Sequence, residues 1–551
     1  MPNKKTSTPT HTMPLRLASF ALNSRAVSFC AAPNSVVARV VSCSVKAIHH
    51  CQLRAATEAY LAQLKAQGEP LDLAQVIPPP VPPVKNSAPL ITNALAQINR
   101  KYTNSIIYDN PPYAMSRAIP GRKMIGWRQP VIHSPDSFPS NLTNTWADLG
   151  AQLAERRDDL RDLRKLIENP TIDFNYDYSD PKNYSPALAV RFGQIKMAVQ
   201  WLEISVFYNL HEDKTAEACN DARTLLAFVK AQANERFLIS QLVRWAFAGI
   251  AADTTWNVLQ ASNISDANLA QLQHDWESLE FIVPLKNANL FERVSELRLV
   301  DHLRQTPTNL ASQVAWTQFA TFPDKENRYI RKADGTYVLD ESIFRKVING
   351  ISTQWAKFQW RWFGSYTDEI RGVRMWRSVI DGTQILETNR SFGAVHSFLN
   401  TNFIQMGFDS VKDNPYALIS HYAHHQLSAF KKLEQVETRR SVVIAAIALK
   451  RYEIRHHQFP ATLADLTPDL LNSVPIDCMD GQPLRYRPNT DGTFLLYSVG
   501  ENGKDDGGNP SLEKNFQSSS FHWQNSHALD WVWPQPATPE EIQNFYKLRP
   551  K

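Results

Sequence analysis

"SAFKKLEQVETRRSVVIAAIALKRYEIRHHQFPATLADLTPDLL", residues 428–471, decides the fold. Good helix formers with apolar residues three and four apart run to His457, and Pro460 stops them, because proline has no N–H to donate and clashes with the preceding turn. A short second helix is predicted to start at Thr462 or a neighbour. Beyond it "PLRYRP" (483–488) and "TFLLYSV" (493–499) read as short strands. They are joined by "NTDG" (489–492), whose Asp-Gly pair suits a hairpin turn. The run "LLYSVGENGKDDGG" (495–508) then sets an apolar strand against four glycines, two adjacent aspartates and an asparagine. The predicted order is long helix, short helix, small antiparallel sheet and glycine-rich acidic loop.

Upstream, helices dominate. "NTWADLGAQLAERRDDLRDLRKLIENP" (144–170) places Trp146, Leu149, Leu153, Leu160, Leu163 and Ile167 on one stripe and stops before Pro170. Similar stripes recur over 186–210, 214–234, 236–260 and 265–281. Short polar breaks between them imply antiparallel neighbours. Further helices are expected at 291–303, 341–363 and 391–403, and the aromatic run "WAKFQWRWFGSY" (355–366) reads as packed core. The fold class is therefore mainly α, a multi-helix body followed by a small α+β C-terminal module. The expected units are a disordered or targeting segment (1–45), an N-terminal helix with a proline-rich spacer and an irregular connection (46–140), the helical body (141–425) and the C-terminal module (426–551).

The N-terminal helix is predicted over 45–68, closed by Gly68, and the prolines of 78–83 favour a stiff extended spacer. Lys4 and Lys5 precede an apolar stretch at 15–45, as in a signal or anchor, but Arg16, Asn23, Arg25 and Arg39 interrupt it short of a membrane span. Membrane association through the N-terminus stays open. Basic residues number 59 against 54 acidic, evenly interspersed, which argues against a nucleic-acid partner. Five scattered cysteines, Cys30, Cys43, Cys51, Cys219 and Cys478, show no zinc or disulfide spacing.

Three stretches, 447–466, 474–488 and 495–508, occur in the order found in the C-terminal part of the major pseudopilin of bacterial type II secretion systems, which this region resembles over about 100 of 551 residues. The whole chain resembles a group of large planctomycete and verrucomicrobial proteins that end in this module. The resemblance implies a pseudopilin-like fold and a calcium ion in the acidic loop. Calcium takes six to eight oxygens from carboxylates and carbonyls on a loop able to curl round it. Asn502, Asp505 and Asp506 offer side-chain oxygens, Val499 and Lys504 offer carbonyls, and Asp530 in "ALDWVWP" is a candidate closing ligand. Asn502 stands where the family's loop has an aspartate. Neither a prepilin cleavage site nor a continuous apolar helix precedes Arg439, and "VVIAAIAL" (442–449) is short enough for a packed helix, so a pilus subunit is not expected.

For catalysis, His421 and His424 or His425 share a helical face at metal-ligand spacing without an HExxH signature. His456 and His457 fall at a helix C-terminus, where the dipole favours cations. The pairs Asp158–Asp159 and Asp505–Asp506 read as solvated carboxylates. No phosphate loop, dinucleotide fingerprint or nucleophile elbow is present. The expected function is a non-catalytic, envelope-associated and extracytoplasmic structural or interaction protein with a protein or glycan partner. The alternatives are a metal-dependent hydrolase using His421 and His424, and an accessory subunit of a secretion-like apparatus.

Overall fold

Thirty-one residues of the first described helix, α1 (Val36–Ala66), start well ahead of the expected Val45. Gly68, at φ +83°, follows its end as a left-handed cap. The computed structural model describes residues 36–100, 143–305, 360–389, 392–405, 423–513 and 527–547, with short strand pairs elsewhere. Most of the expected segment 1–45, the histidine at 421 and most of the helix expected at 341–363 lie outside the described residues.

Residues 78–82 carry no helix and run from Ile77, at φ −68° and ψ 147°, into a 3-10 turn at Pro83–Lys85, with α2 (Leu73–Val76) before them and α3 (Ala88–Arg100) after. Packing holds α2 in place: Val76 is buried, and Arg236 Nε donates to its carbonyl at 3.1 Å. The stretch expected to be irregular carries two small antiparallel pairs, β1 (Arg117–Ala118) with β2 (Met124–Ile125) and β3 (Ile132–His133) with β4 (Thr143–Asn144).

The body follows as α4 (Trp146–Glu155), α5 (Arg157–Arg164), α6 (Pro181–His211), α7 (Thr215–Ala231), α8 (Leu238–Leu259), α9 (Asp266–Glu277) and α10 (Ile282–Gln305). After the hairpin β5 (Tyr329–Arg331) and β6 (Tyr337–Leu339) come α11 (Ser365–Asn389) and α12 (Phe392–Gln405). Thr145 caps α4 by accepting from Asp148 N at 3.2 Å, and Asp148 returns the bond to Thr145 N at 2.9 Å, closing a capping box. The helices are packed in sequence, α6 on α7 and α7 on α8, with α10 on α11. Because α6, α8 and α9 all pack on it, α7 is buried almost all round, which explains its two-sided apolar pattern. Arg244, fully buried on α8, donates to Val229 O at 2.5 Å and Glu280 O at 2.7 Å, occupying a carbonyl that the end of α7 leaves open.

The segment that decided the fold is α13 (Ala423–His456). Its octapeptide Val442–Leu449 is buried on every side, since α8 and α9 cover one flank and the C-terminal sheet reaches another. His457, at φ +57°, turns the chain out, and Thr462 with Asp465 caps the expected short helix, a 3-10 turn at Leu463–Leu466. The strands are β7 (Arg485–Pro488) and β8 (Phe494–Ser498), antiparallel with Tyr486 opposite Leu496. A third strand that the alternation pattern missed, β9 (Trp531–Val532), pairs with β8. The described chain ends in α14 (Pro539–Lys547).

Body and C-terminal module share one hydrophobic core, running from Ala88 to Trp533. Polar bonds cross the same boundary: Trp256 Nε1 donates to Pro534 O at 2.9 Å and Gln273 Nε2 to Leu470 O at 2.6 Å. Arg451 and Arg455 of α13 both bind Asp266 of α9. Among the described residues no helix is long and apolar enough to cross a membrane.

Candidate functional site

The acidic loop hangs from two buried aspartates. Asp477 lies in the turn before β7 and is fully buried. Its carboxylate accepts from Ser498 Oγ at 2.8 Å, Val499 N at 2.9 Å, Met479 N at 3.1 Å and Arg485 Nη1 at 3.2 Å. Arg485 also binds Asp480 and lies 3.5 Å from Asp505. One guanidinium thus ties the turn to the loop, the forked geometry arginine supplies. Burial pushes Asp477 above the usual carboxylate range against those donors. Burial works the same way on Asp480, but there the Arg485 hydrogen bond wins and holds it low.

Asp530, next to β9, is the second anchor and is also fully buried. It accepts from Asn509 N at 2.7 Å, Gly508 N at 2.9 Å and Asp506 N at 3.3 Å, so one carboxylate satisfies three successive parts of the loop backbone. The remaining side chains close the loop on itself. Asp505 Oδ1 accepts from Tyr497 Oη at 2.9 Å and Gly507 N at 3.0 Å, and these backbone and phenol donors lower its pKa. Asn502 Nδ2 donates to Asp506 at 3.0 Å while its Oδ1 accepts from Lys504 N at 2.9 Å.

Two glycines are required by this path. Gly500 sits at φ +66°, and a Cβ there would lie 3.0 Å from Leu529 O; Gly508 sits at φ +81°, with Leu495 Cδ2 at 2.7 Å. Gly500→Ala is expected to cost about 1–3 kcal/mol from the left-handed backbone alone, read as a lowered midpoint in urea denaturation. A loss under about 0.5 kcal/mol would mean that the loop relaxes freely.

The fold therefore brings Asn502, Asp505, Asp506 and Asp530 to one loop, as expected, but their oxygens accept hydrogen bonds from the loop, from Tyr497 or from Asn502. Val499 is buried, with its N–H on Asp477, and Lys504 is exposed. Among the described residues no group of three or more His, Cys, Asp or Glu is gathered to hold a metal ion.

The histidine cluster gives little. His424 and His425 fall in the first turns of α13, with their side chains, like all of His421, outside the described residues. His456 packs its ring against Tyr452 at 4.2 Å, and His457 N donates to Glu453 O at 2.8 Å, an ordinary helix end. The pair 158–159 needs correction. Asp158 is exposed and paired with Arg161 at 2.8 Å, whereas Asp159 is buried, its charge beside the buried Arg156.

Sequence reasoning missed the charges inside the body. Glu203 of α6 is raised to about 8, first by desolvation and then by the Asp253 charge on α8. The residue retains some accessible surface. Arg439 of α13 points at the same face of α8, its Nη1 only 2.5 Å from where a Cβ on Gly249 would stand. Arg439 is lowered to about 10 by burial, with Asp253 working against it. These residues are widely separated in sequence on otherwise apolar helices, and no local motif announces them. A scan against family models finds no match, and comparisons with curated proteins and with solved structures likewise find none.

Proposed function

We propose that this is a non-catalytic structural or interaction protein in which the C-terminal module locks the helical body and displays the acidic loop at 500–508. The observation that carries this reading is the use made of the loop's acids. Asp477 and Asp530 are buried and bound to backbone N–H groups, and Asp505 and Asp506 are bound within the loop, so these carboxylates shape backbone instead of standing free for proton transfer. The exposed stretch 503–507 is the surface offered to a protein or glycan partner.

Calcium is the second reading, favoured by the loop's glycines and acids and by the pseudopilin resemblance. An ion would have to take Asp505, Asp506 and Asp530 from their present donors. An extracytoplasmic location rests on the same ion, because millimolar calcium outside the cytoplasm fills weak sites. Thermal unfolding of the full chain in excess calcium, in magnesium and in chelator separates the two. Equal midpoints are expected here. A calcium-specific rise, abolished in the Asp505→Ala, Asp506→Ala double variant, would establish the ion and overturn the self-sufficient loop. Zinc or another transition metal in the purified protein would revive the hydrolase alternative, and copurifying secretion components the accessory-subunit one.

A further inference from the structure

Between α2 and α3 the backbone is set largely by covalent structure. A proline ring holds its own φ at about −65°, and the residue before a proline is pushed into an extended conformation. Ile77, Pro78, Pro79, Val81 and Pro82 each precede a proline. Ile77, at φ −68° and ψ 147°, and Pro82, at φ −54° and ψ 137°, accordingly bound a polyproline II segment.

Exposure along this segment repeats every third residue. Pro78 and Val81 are half-buried, whereas Pro79, Pro80, Pro82 and Pro83 are exposed. Polyproline II turns once in about three residues, so one edge lies on the protein and the other two stand out as a ridge of proline rings. The ridge is also fixed in place. Ahead of it Arg236 Nε donates to Val76 O at 3.1 Å, and within it Val81 N donates to Asp173 Oδ2 at 3.4 Å. Behind it Asn86 exchanges two bonds with the Asp173 backbone, Nδ2 donating to O at 2.9 Å and Oδ1 accepting from N at 3.0 Å. Just past the prolines Val84 is 88% exposed, and Lys85 is exposed beside it.

Proline rings held at a regular spacing offer apolar faces with little conformational freedom left to lose on binding. A polyproline II backbone makes no hydrogen bonds within itself, so its carbonyls are open to donors from outside. The complement to both is a groove of aromatic side chains: flat faces take the rings, and indole N–H or phenol O–H groups reach the carbonyls. Lys85, two residues beyond Pro83, matches an acid at the rim of such a groove. We propose that residues 79–85 dock in the aromatic, acid-rimmed groove of a polyproline-reading domain on a partner protein. The ridge shares no residue with the acidic loop, so the proposal stands or falls apart from the reading of that loop.

The test titrates the full chain into an isotope-labelled SH3 domain of the kind that reads prolines followed by a basic residue, and follows the resonances of its groove aromatics and rim acids. Binding is expected, and it should weaken about tenfold or more in the Pro80→Ala, Pro83→Ala double variant. Lys85→Glu, which keeps every proline, should weaken it several-fold, and so should added salt. Because the substituted rings are exposed, unfolding midpoints of the variants should match the parent. No shift of the groove resonances, or equal binding by the parent and both variants, would mean that the ridge is closed to a groove and overturns the proposal. A concentration-dependent dimer of the chain alone, lost in the double variant, would make a second copy the occupant and overturns it as well.

Discussion

Asp477→Ala is expected to destabilise the protein by about 3–5 kcal/mol in urea denaturation. Removing this carboxylate leaves Ser498 Oγ, Val499 N and Met479 N without their acceptor in a fully buried setting. Each orphaned donor of that kind costs about 1–3 kcal/mol. Arg485 loses one of three acidic partners but keeps Asp480 and Asp505, so its charge is not stranded and the total stays below a simple sum. Amide protection should fall first at residues 494–499, where β8 enters the loop. Asp477→Asn, which keeps an acceptor oxygen, should recover part of the loss. A change below about 1 kcal/mol for the alanine variant would mean that water replaces the carboxylate, and that the loop is not hung from it.

Glu203→Gln is expected to act in the opposite direction, and only at high pH. A carboxyl whose folded pKa lies above its unfolded value holds its proton more tightly when folded. For Glu203 the ordinary value is 4.5 and the folded value about 8. Below about pH 4.5 both states are protonated and nothing is lost. From there stability declines as pH rises towards 8, and above that the penalty is constant. At about 1.4 kcal/mol per pH unit, trimmed because the residue keeps some accessible surface, the penalty is a few kcal/mol. Glutamine has the same shape and no charge. Unfolding midpoints of the variant and the parent should coincide near pH 4 and separate by pH 9, with the variant higher. Coincidence at both ends would mean that Glu203 ionises in the folded state without strain.

The sequence disclosed those elements whose cause is local. Pro460 and the left-handed His457 end α13, Thr462 caps the next turn, and the Asp-Gly pair builds the β7–β8 turn with Gly492 at φ +79°. Asn502, Asp505, Asp506 and Asp530 do converge on one loop. What those carboxylates do there was not legible, because it depends on N–H groups whose directions are set only once the chain has turned. Strand β9 was invisible for a related reason: two residues have no periodicity. Glu203 and Arg439 were invisible because each meets its neighbours through tertiary packing, across helices far apart in the chain. The contact of Val76 with the body was hidden for the same cause, since it depends on Arg236, far along the chain.

The third strand has a consequence for biosynthesis. Trp531 and Trp533 are buried, and Trp256 in the middle of the body hydrogen-bonds to Pro534. On a ribosome the body's helices emerge long before these residues, so part of their apolar surface waits uncovered while translation continues. Trp533 of the shared core is made only after every helix of the body, and until then the body's surface beneath it stays uncovered. A stop codon introduced after β8 would leave that surface permanently bare, and such a product is expected to be found in aggregates or degraded, not as a shorter working protein.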